Sequence, residues 1–162
     1  MLPTIFEGQW KDDKKFGNGT YVSNDGSNYV GEFENDLKHG NGQITYGENI
    51  ELKLKLYSGE WKDNKKSGHG NQTWKDGSKY VGEFENDMRN GFGIETYMKG
   101  DVYEGQWKND EKSGHGTYTW NYGSKYIGNY ENNFRHGNGT LYFPTGQIRE
   151  RGQWERDIFI QD

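Results

Sequence analysis

The sequence predicts an all-β protein: an elongated, open, solenoid-like array of consecutive β-hairpins in a single antiparallel layer. Three observations carry this. An aromatic, any residue, glycine, any residue, aromatic pattern returns at near-constant spacing, and fixed-period self-similarity marks a repeat architecture. Within each copy, rings and glycines alternate with polar side chains, which is the period of a strand. Composition argues against a conventional core: hydrophobic residues make up 29%, there are 25 glycines and mean hydropathy is -1.26, yet aromatics reach 16%. Burial is therefore concentrated in large, flat side chains.

The elements follow in order. Phe6-Glu7-Gly8-Gln9-Trp10 opens a first repeat over 6–28, and Tyr29-Val30-Gly31-Glu32-Phe33 a second over 29–56, with five extra residues within 47–56. Repeats over 57–79, 80–102, 103–125 and 126–149 begin on Tyr57, Tyr80, Tyr103 and Tyr126, with Gly59, Gly82, Gly105 and Gly128 at their centres. A partial copy, Glu150-Arg151-Gly152-Gln153-Trp154, fills 150–162. Its tail, Asp157-Ile158-Phe159-Ile160, is expected to cap the last edge or to mediate self-association. Downstream in each of the first six repeats stands a Gly-x-Gly: Gly17/Gly19, Gly40/Gly42, Gly68/Gly70, Gly91/Gly93, Gly114/Gly116 and Gly137/Gly139.

The fifth repeat shows the hairpin logic. Tyr103, Gly105 and Trp107 share one face of a strand, with Glu104, Gln106 and Lys108 on the other. In the return strand Gly114, Gly116, Tyr118 and Trp120 lie with the rings, and His115, Thr117 and Thr119 lie opposite; Asn109-Asp110-Glu111-Lys112 is turn material. Gly8, Gly31, Gly59, Gly82, Gly105 and Gly128 are read as structural, because a bare Cα lets a cross-strand ring lie flat over backbone. With two strands per repeat, each repeat advances ~10 Å.

These repeats resemble the membrane occupation and recognition nexus, or MORN, family over almost the whole chain. Departures are local: Phe6 replaces a leading Tyr, Asn129 and Tyr130 replace an acidic residue and a Trp or Phe, Glu150 replaces the last leading aromatic, and the seventh copy has no Gly-x-Gly. The resemblance implies a non-enzymatic scaffold or adaptor among the proteins of a larger assembly, cytoskeletal, ciliary or flagellar, such as an axonemal radial spoke. The alternative that it also implies, ranked second, is a membrane- or phosphoinositide-recruiting module. No cofactor is expected.

An aromatic, glycine-floored groove suits an extended or helical partner segment. Its partner-binding rings are then Trp10, Tyr29, Phe33, Tyr57, Trp61, Tyr80, Phe84, Tyr103, Trp107, Tyr126 and Tyr130. The repeats also alternate in pairs. Even tips carry Leu37, Met88 and Phe134 where odd tips have Lys14, Lys65 and Glu111. Two readings are open for these apolar residues: they fold back on their own hairpins, or they form a partner-facing edge. In the insertion, Ile50, Leu52, Leu54 and Leu56 alternate with Glu51, Lys53, Lys55 and Tyr57, which predicts a longer loop or strand serving either local packing or a contact surface.

Charge and residue inventory bear on chemistry. The formal net charge is -5, so no global positive field draws the chain to nucleic acid. Lipid binding would fall to the clusters Lys11, Lys14, Lys15 and Lys62, Lys65, Lys66. There is no cysteine, which removes thiolate metal sites and cysteine nucleophiles. His39, His69, His115 and His136 follow the repeat, and equivalent positions two repeats apart are ~20 Å apart on a sheet, too far to share a metal. Carboxylate pairs such as Glu32/Glu34 and Glu83/Glu85 read as solvated sheet surface. Neither a basic leader with an apolar stretch nor a run of about 18 apolar residues occurs, so an intracellular, soluble location is expected.

Overall fold

The computed structural model describes residues 3–48 and 53–161. Every regular element among them is a strand, and the chain divides into two compact units, residues 1–87 and 88–162.

The first unit holds β1 (Ile5–Lys11), β2 (Lys14–Val22), β3 (Asn28–Glu34), β4 (Leu37–Thr45), β5 (Leu54–Lys62), β6 (Lys65–Trp74) and β7 (Lys79–Glu85). Each pairs antiparallel with the next in chain order. The second unit holds β8 (Met88–Thr96), β9 (Val102–Lys108), β10 (Glu111–Thr119), β11 (Lys125–Glu131), β12 (Phe134–Tyr142), β13 (Ile148–Glu155) and β14 (Ile158–Ile160), paired in the same way. Each unit is an open antiparallel sheet of hairpins, as the repeat predicts.

The hairpin turns are tighter than the four polar residues expected. Both central residues have positive φ: 50° and 68° at Asn109 and Asp110, 51° and 61° at Asp12 and Asp13. These are two-residue mirror-image turns, whose twist matches that of the strands. Asn and Asp tolerate the left-handed region best among residues bearing a Cβ, which explains the monotonous D-D, N-D, D-N and N-N tips. Glu111 and Lys112 are thus the first residues of β10.

A second irregularity is regular too. The register jumps from Gly8↔Gly19 to Gln9↔Phe16, so Gly17 and Asn18 bulge out of β2. Gly17, Gly40, Gly68, Gly114 and Gly137 have φ between 55° and 71°, which a side chain resists. Thus the two glycines of Gly-x-Gly have separate tasks. The first makes the bulge, and the second faces the glycine of the neighbouring strand, as in Gly42↔Gly59 and Gly116↔Gly105.

In the insertion, β5 starts at Leu54 and is nine residues long against seven for β9, so a longer strand is what forms. Leu54 and Leu56 are half-buried, with Leu56 opposite Thr45 and Thr73. Ile50 and Leu52 lie outside the described residues.

Candidate interaction surface

Glycine pairs make the floor of one face, and rings lie on it. A Cβ added to Gly116 would stand 2.5 Å from the Tyr103 hydroxyl oxygen and 2.6 Å from its ring. The same holds for Tyr57 over Gly70, at 2.5 Å from both ring and hydroxyl. Each leading Tyr hydroxyl donates to the carbonyl three residues on: Tyr29 to Glu32 at 3.0 Å, Tyr57 to Glu60 at 2.9 Å, Tyr80 to Glu83 at 3.0 Å, Tyr103 to Gln106 at 2.9 Å and Tyr126 to Asn129 at 3.2 Å. That bond is what Tyr offers over Phe. Burial pushes the Tyr126 hydroxyl up to about 12, and those of Tyr29 and Tyr57 higher still.

Rings then pack edge to face along the row. Tyr57 meets Trp61 at 5.1 Å and 90°, and Phe84 at 5.1 Å and 84°; Tyr103 meets Trp107 at 5.2 Å and 90°, and Tyr130 at 5.1 Å and 81°. Each such pair contributes roughly 0.5–1.5 kcal/mol beyond area burial. Trp61 and Trp154 also donate their indole N–H to the carbonyls of Gly42 and Gly139, at 3.0 and 3.3 Å.

This packing corrects the placement of the expected partner-binding rings. Tyr29, Phe33, Tyr57, Trp61, Tyr80, Phe84, Tyr103, Trp107, Tyr126 and Tyr130 are all buried. They are the core, because neighbouring rings fill the space over the glycines. Trp10, on β1, is the exception at 58% exposed.

A row of cations covers the rings, a role that the repeat pattern alone does not assign to them. The Lys38 ammonium lies 5.4 Å from the Tyr29 ring and 5.0 Å from Trp61, and Lys66 lies 5.5 Å from Tyr57 and 5.2 Å from Phe84. In the second unit the Arg89 guanidinium is 4.1 Å from Trp107, Lys112 is 5.4 Å from Tyr103, and Arg135 is 4.4 Å from Trp154. Cation–π attraction favours each contact, while burial pulls the Lys38 and Lys112 ammonium groups below the ordinary lysine value. The signal was available: a basic residue recurs at 15, 38, 66, 89, 112 and 135, in step with the repeat.

The same residues tie successive tips together. Asp110 accepts from the Arg89 backbone N–H at 2.9 Å and donates its own N–H to the Arg89 carbonyl at 3.0 Å. Asp36 with Lys15, Asn64 with Lys38, Asp87 with Lys66, Asn133 with Lys112 and Asp157 with Arg135 repeat this two-way latch. Arg135 adds side-chain bonds from Nε to the Asp157 carboxylate and from its terminal nitrogen to the Asp157 carbonyl, both 2.9 Å.

Between the inter-repeat loops and the next hairpin, the ring face keeps open niches. In the first unit Tyr21, Ser23, Asp25, Ser27, Lys38, Ile44 and Tyr46 line about 190 Å³. In the second, Trp120, Tyr122, Ser124, Arg135, Leu141 and Phe159 line about 310 Å³. Ser23, Asp25, Ser27, Lys38 and Ile44 are the repeat equivalents of Trp120, Tyr122, Ser124, Arg135 and Leu141, so both niches are one feature written twice. Trp120 and Tyr122 stack at 6.3 Å and 25°, and Tyr122 is 63% exposed.

The opposite face carries Leu37 and Met88, half-buried, and Phe134, exposed. Leu37 stands across from Glu34 and Phe134 across from Glu131. The lysine clusters are split between faces. Lys15 and Lys66 lie over rings, whereas Lys11↔Lys14 and Lys62↔Lys65 are cross-strand pairs behind them. Glu32 and Glu60 are anchored: they accept the backbone N–H of Asn41 and His69 at 2.8 Å, bracing the bulges. His39 is 3.6 Å from Glu34 and 3.5 Å from Asp63, His69 is 3.8 Å from Glu60 and His136 is 3.4 Å from Glu131. His115 Nδ1 is 3.4 Å from the Asn129 side-chain oxygen.

At the end of the chain, β14 pairs with β13, and the Phe159 ring sits 5.3 Å from Trp154. Ile158 remains 67% exposed.

Comparisons with known proteins fit this geometry. Human Alsin is 31% identical over 94 residues, 58% of this chain and 6% of Alsin. The bovine ALS2 C-terminal-like protein is 33% identical over 89 residues, 55% of this chain and 9% of that protein. MORN repeat-containing protein 3 of Xenopus laevis is 32% identical over 78 residues, 44% of this chain and 31% of its own length. The chain therefore matches only a small part of the Alsin-type relatives. Among solved structures, the Drosophila melanogaster SAS-4 TCP domain, in complex with a proline-rich motif of Ana2, superposes with a TM-score of 0.52 at 9% identity, covering 85% of this chain and 72% of that one; this is a likeness of fold. The MORN repeat family model matches residues 6–28, 29–49, 57–79, 80–102, 103–125 and 126–148, and with its ring-on-glycine hairpins the chain belongs to the MORN repeat family.

Proposed function

We propose that the chain is a non-catalytic protein-interaction scaffold that holds an extended segment of a partner in a niche of its ring face. Family membership supports an interaction module, for protein or for membrane. The observation that favours protein is the repeated niche, walled by part-exposed Tyr21 and Tyr46 in one unit and by Trp120 and Tyr122 in the other. Flat aromatic walls beside a cation are suited to a rigid, extended chain, and proline-rich segments bind aromatic grooves with little loss of entropy. The proline-rich motif held by the SAS-4 TCP domain agrees with that choice of occupant. A cytoskeletal or ciliary assembly is the proposed setting, on the resemblance to repeats-only family members.

The alternative, recruitment to anionic membrane, has its own observation in the paired lysines Lys11↔Lys14 and Lys62↔Lys65. One experiment separates the two. Proline-rich peptides are titrated against the protein by fluorescence anisotropy, with Tyr122→Ala and Trp120→Ala as variants, alongside co-sedimentation with phosphoinositide vesicles over a salt series. Peptide binding weakened about tenfold or more by either variant supports the niche. Salt-sensitive vesicle binding without peptide binding, lost in Lys14→Glu with Lys65→Glu, overturns it in favour of membrane.

A further inference from the structure

The exposed Trp10 departs from a rule that its equivalents obey. Trp61, Trp107 and Trp154 each stand opposite a glycine of the preceding strand, in the pairs Gly40↔Trp61, Gly91↔Trp107 and Gly137↔Trp154. All three are 5% exposed or less, whereas Trp10 is 58% exposed. Their indole N–H groups reach a glycine carbonyl on that strand, Gly42, Gly93 and Gly139 respectively. Trp10 sits on β1, which pairs with β2 on one side and, among the described residues, with no strand on the other.

That edge is complementary to itself. Phe6, Gly8 and Trp10 share the ring face, symmetrically about Gly8. A Cβ added to Gly8 would lie 2.7 Å from the Gly19 Cα, the close approach of a non-hydrogen-bonded antiparallel pair. Strand residues alternate in this respect, so the N–H and C=O of Gly8, Phe6 and Trp10 face outward. Every inter-hairpin pairing seen within the units, such as Gly19↔Gly31 and Gly42↔Gly59, sets glycine against glycine.

We propose that the β1 edge docks a second copy of this chain, the two β1 strands pairing antiparallel about a two-fold axis through Gly8. Gly8 then faces the second copy's Gly8, as glycine faces glycine elsewhere. Phe6 faces the second copy's Trp10, and each indole lies over the other copy's Gly8 as Trp61 lies over Gly42. On the opposite face, Glu7 meets Gln9 and Ile5 meets Lys11, so no like charges stand directly opposed. A C2 pairing needs this kind of self-complementary patch. The β14 edge fits less well: it is three residues long and has no glycine.

The test is sedimentation velocity over a concentration series for the wild-type chain, Trp10→Glu and Ile158→Glu, with thermal melts on each. The expected result is a dimer for wild type and Ile158→Glu. Trp10→Glu should dissociate at least about thirtyfold more easily, and it should melt like wild type at concentrations low enough that both are monomeric, because subunit binding itself raises the apparent stability of a dimer. Amide exchange on the wild type should show protection at Phe6, Gly8 and Trp10 that rises with concentration. A wild type that stays monomeric, a dimer that survives Trp10→Glu with no concentration-dependent protection on β1, or open-ended polymers abolished by Ile158→Glu would each overturn the proposal.

Discussion

Along β10, Gly116 and Tyr118 lie among the rings while His115 and Thr117 lie behind them, and the two sides of this one strand obey different constraints. On the ring side, contacts are close and shared: a Cβ at Gly116 meets Tyr103, which meets Trp107 and Tyr130, while Lys112 lies over Tyr103 and Arg89 over Trp107. On the other side, Thr117 faces Glu104 and Ile127, and His115 is exposed. A sheet without a second layer can still be specific when one face supplies its own cover. Here that cover consists of side chains from the same hairpins, so each hairpin completes its neighbour's core.

Three substitutions on the ring side, two of them set against an exposed or opposite-face counterpart, sharpen this contrast. The largest effect is expected for Trp107→Ala, which removes a buried indole and uncovers Tyr103; chemical denaturation should show a loss of about 3–5 kcal/mol. Trp10→Ala should lose less than about 1 kcal/mol in the same assay, run at a concentration where the chain is monomeric, because in the single chain its ring is exposed. Equal losses for the two would mean that ring burial is not what holds the hairpins.

Next is Gly116→Val, which drives a branched side chain into the Tyr103 ring. A loss of about 1–3 kcal/mol is expected, against a change within about 0.5 kcal/mol for Thr117→Ala on the other face. If both are neutral, the ring rises freely and the glycine floor has no structural role.

The smallest effect is expected for Tyr103→Phe. It deletes the part-buried hydrogen bond from the Tyr103 hydroxyl to the Gln106 carbonyl at 2.9 Å, for about 1 kcal/mol. Phe6 shows that the position accepts a Phe at the edge of the first unit, so folding should persist and only the melting temperature should fall.

Much of the fold was legible because it is written many times. The spacing of Tyr57, Gly59 and Trp61 against Tyr103, Gly105 and Trp107 states strand, face and hairpin together. What the repeat left open was depth. The aromatic face read as a groove awaiting a partner, and the structure fills it with its own rings, since only three-dimensional packing shows that Trp61 reaches back to Tyr29 at 5.4 Å. The cations at 38, 66 and 112 were visible as charge, but their seat over rings depends on the two-residue turns that aim them. Glu32 reads as solvated surface and is a bulge brace, as is its equivalent Glu60, a role that exists only once Gly40 and Gly68 adopt positive φ.

By itself, the amino-acid order determined the period, the antiparallel hairpins and the side of each strand on which rings stand, because these are local consequences of alternation, turn chemistry and missing Cβ atoms. Which rings are buried, which cations lie over them, how the tips latch to one another and where the niches remain open were decided by the tertiary structure. Those features belong to contacts between strands and between neighbouring repeats, such as Trp61 with Tyr29 and with Lys38, and their energy depends on distances that the order of residues does not state.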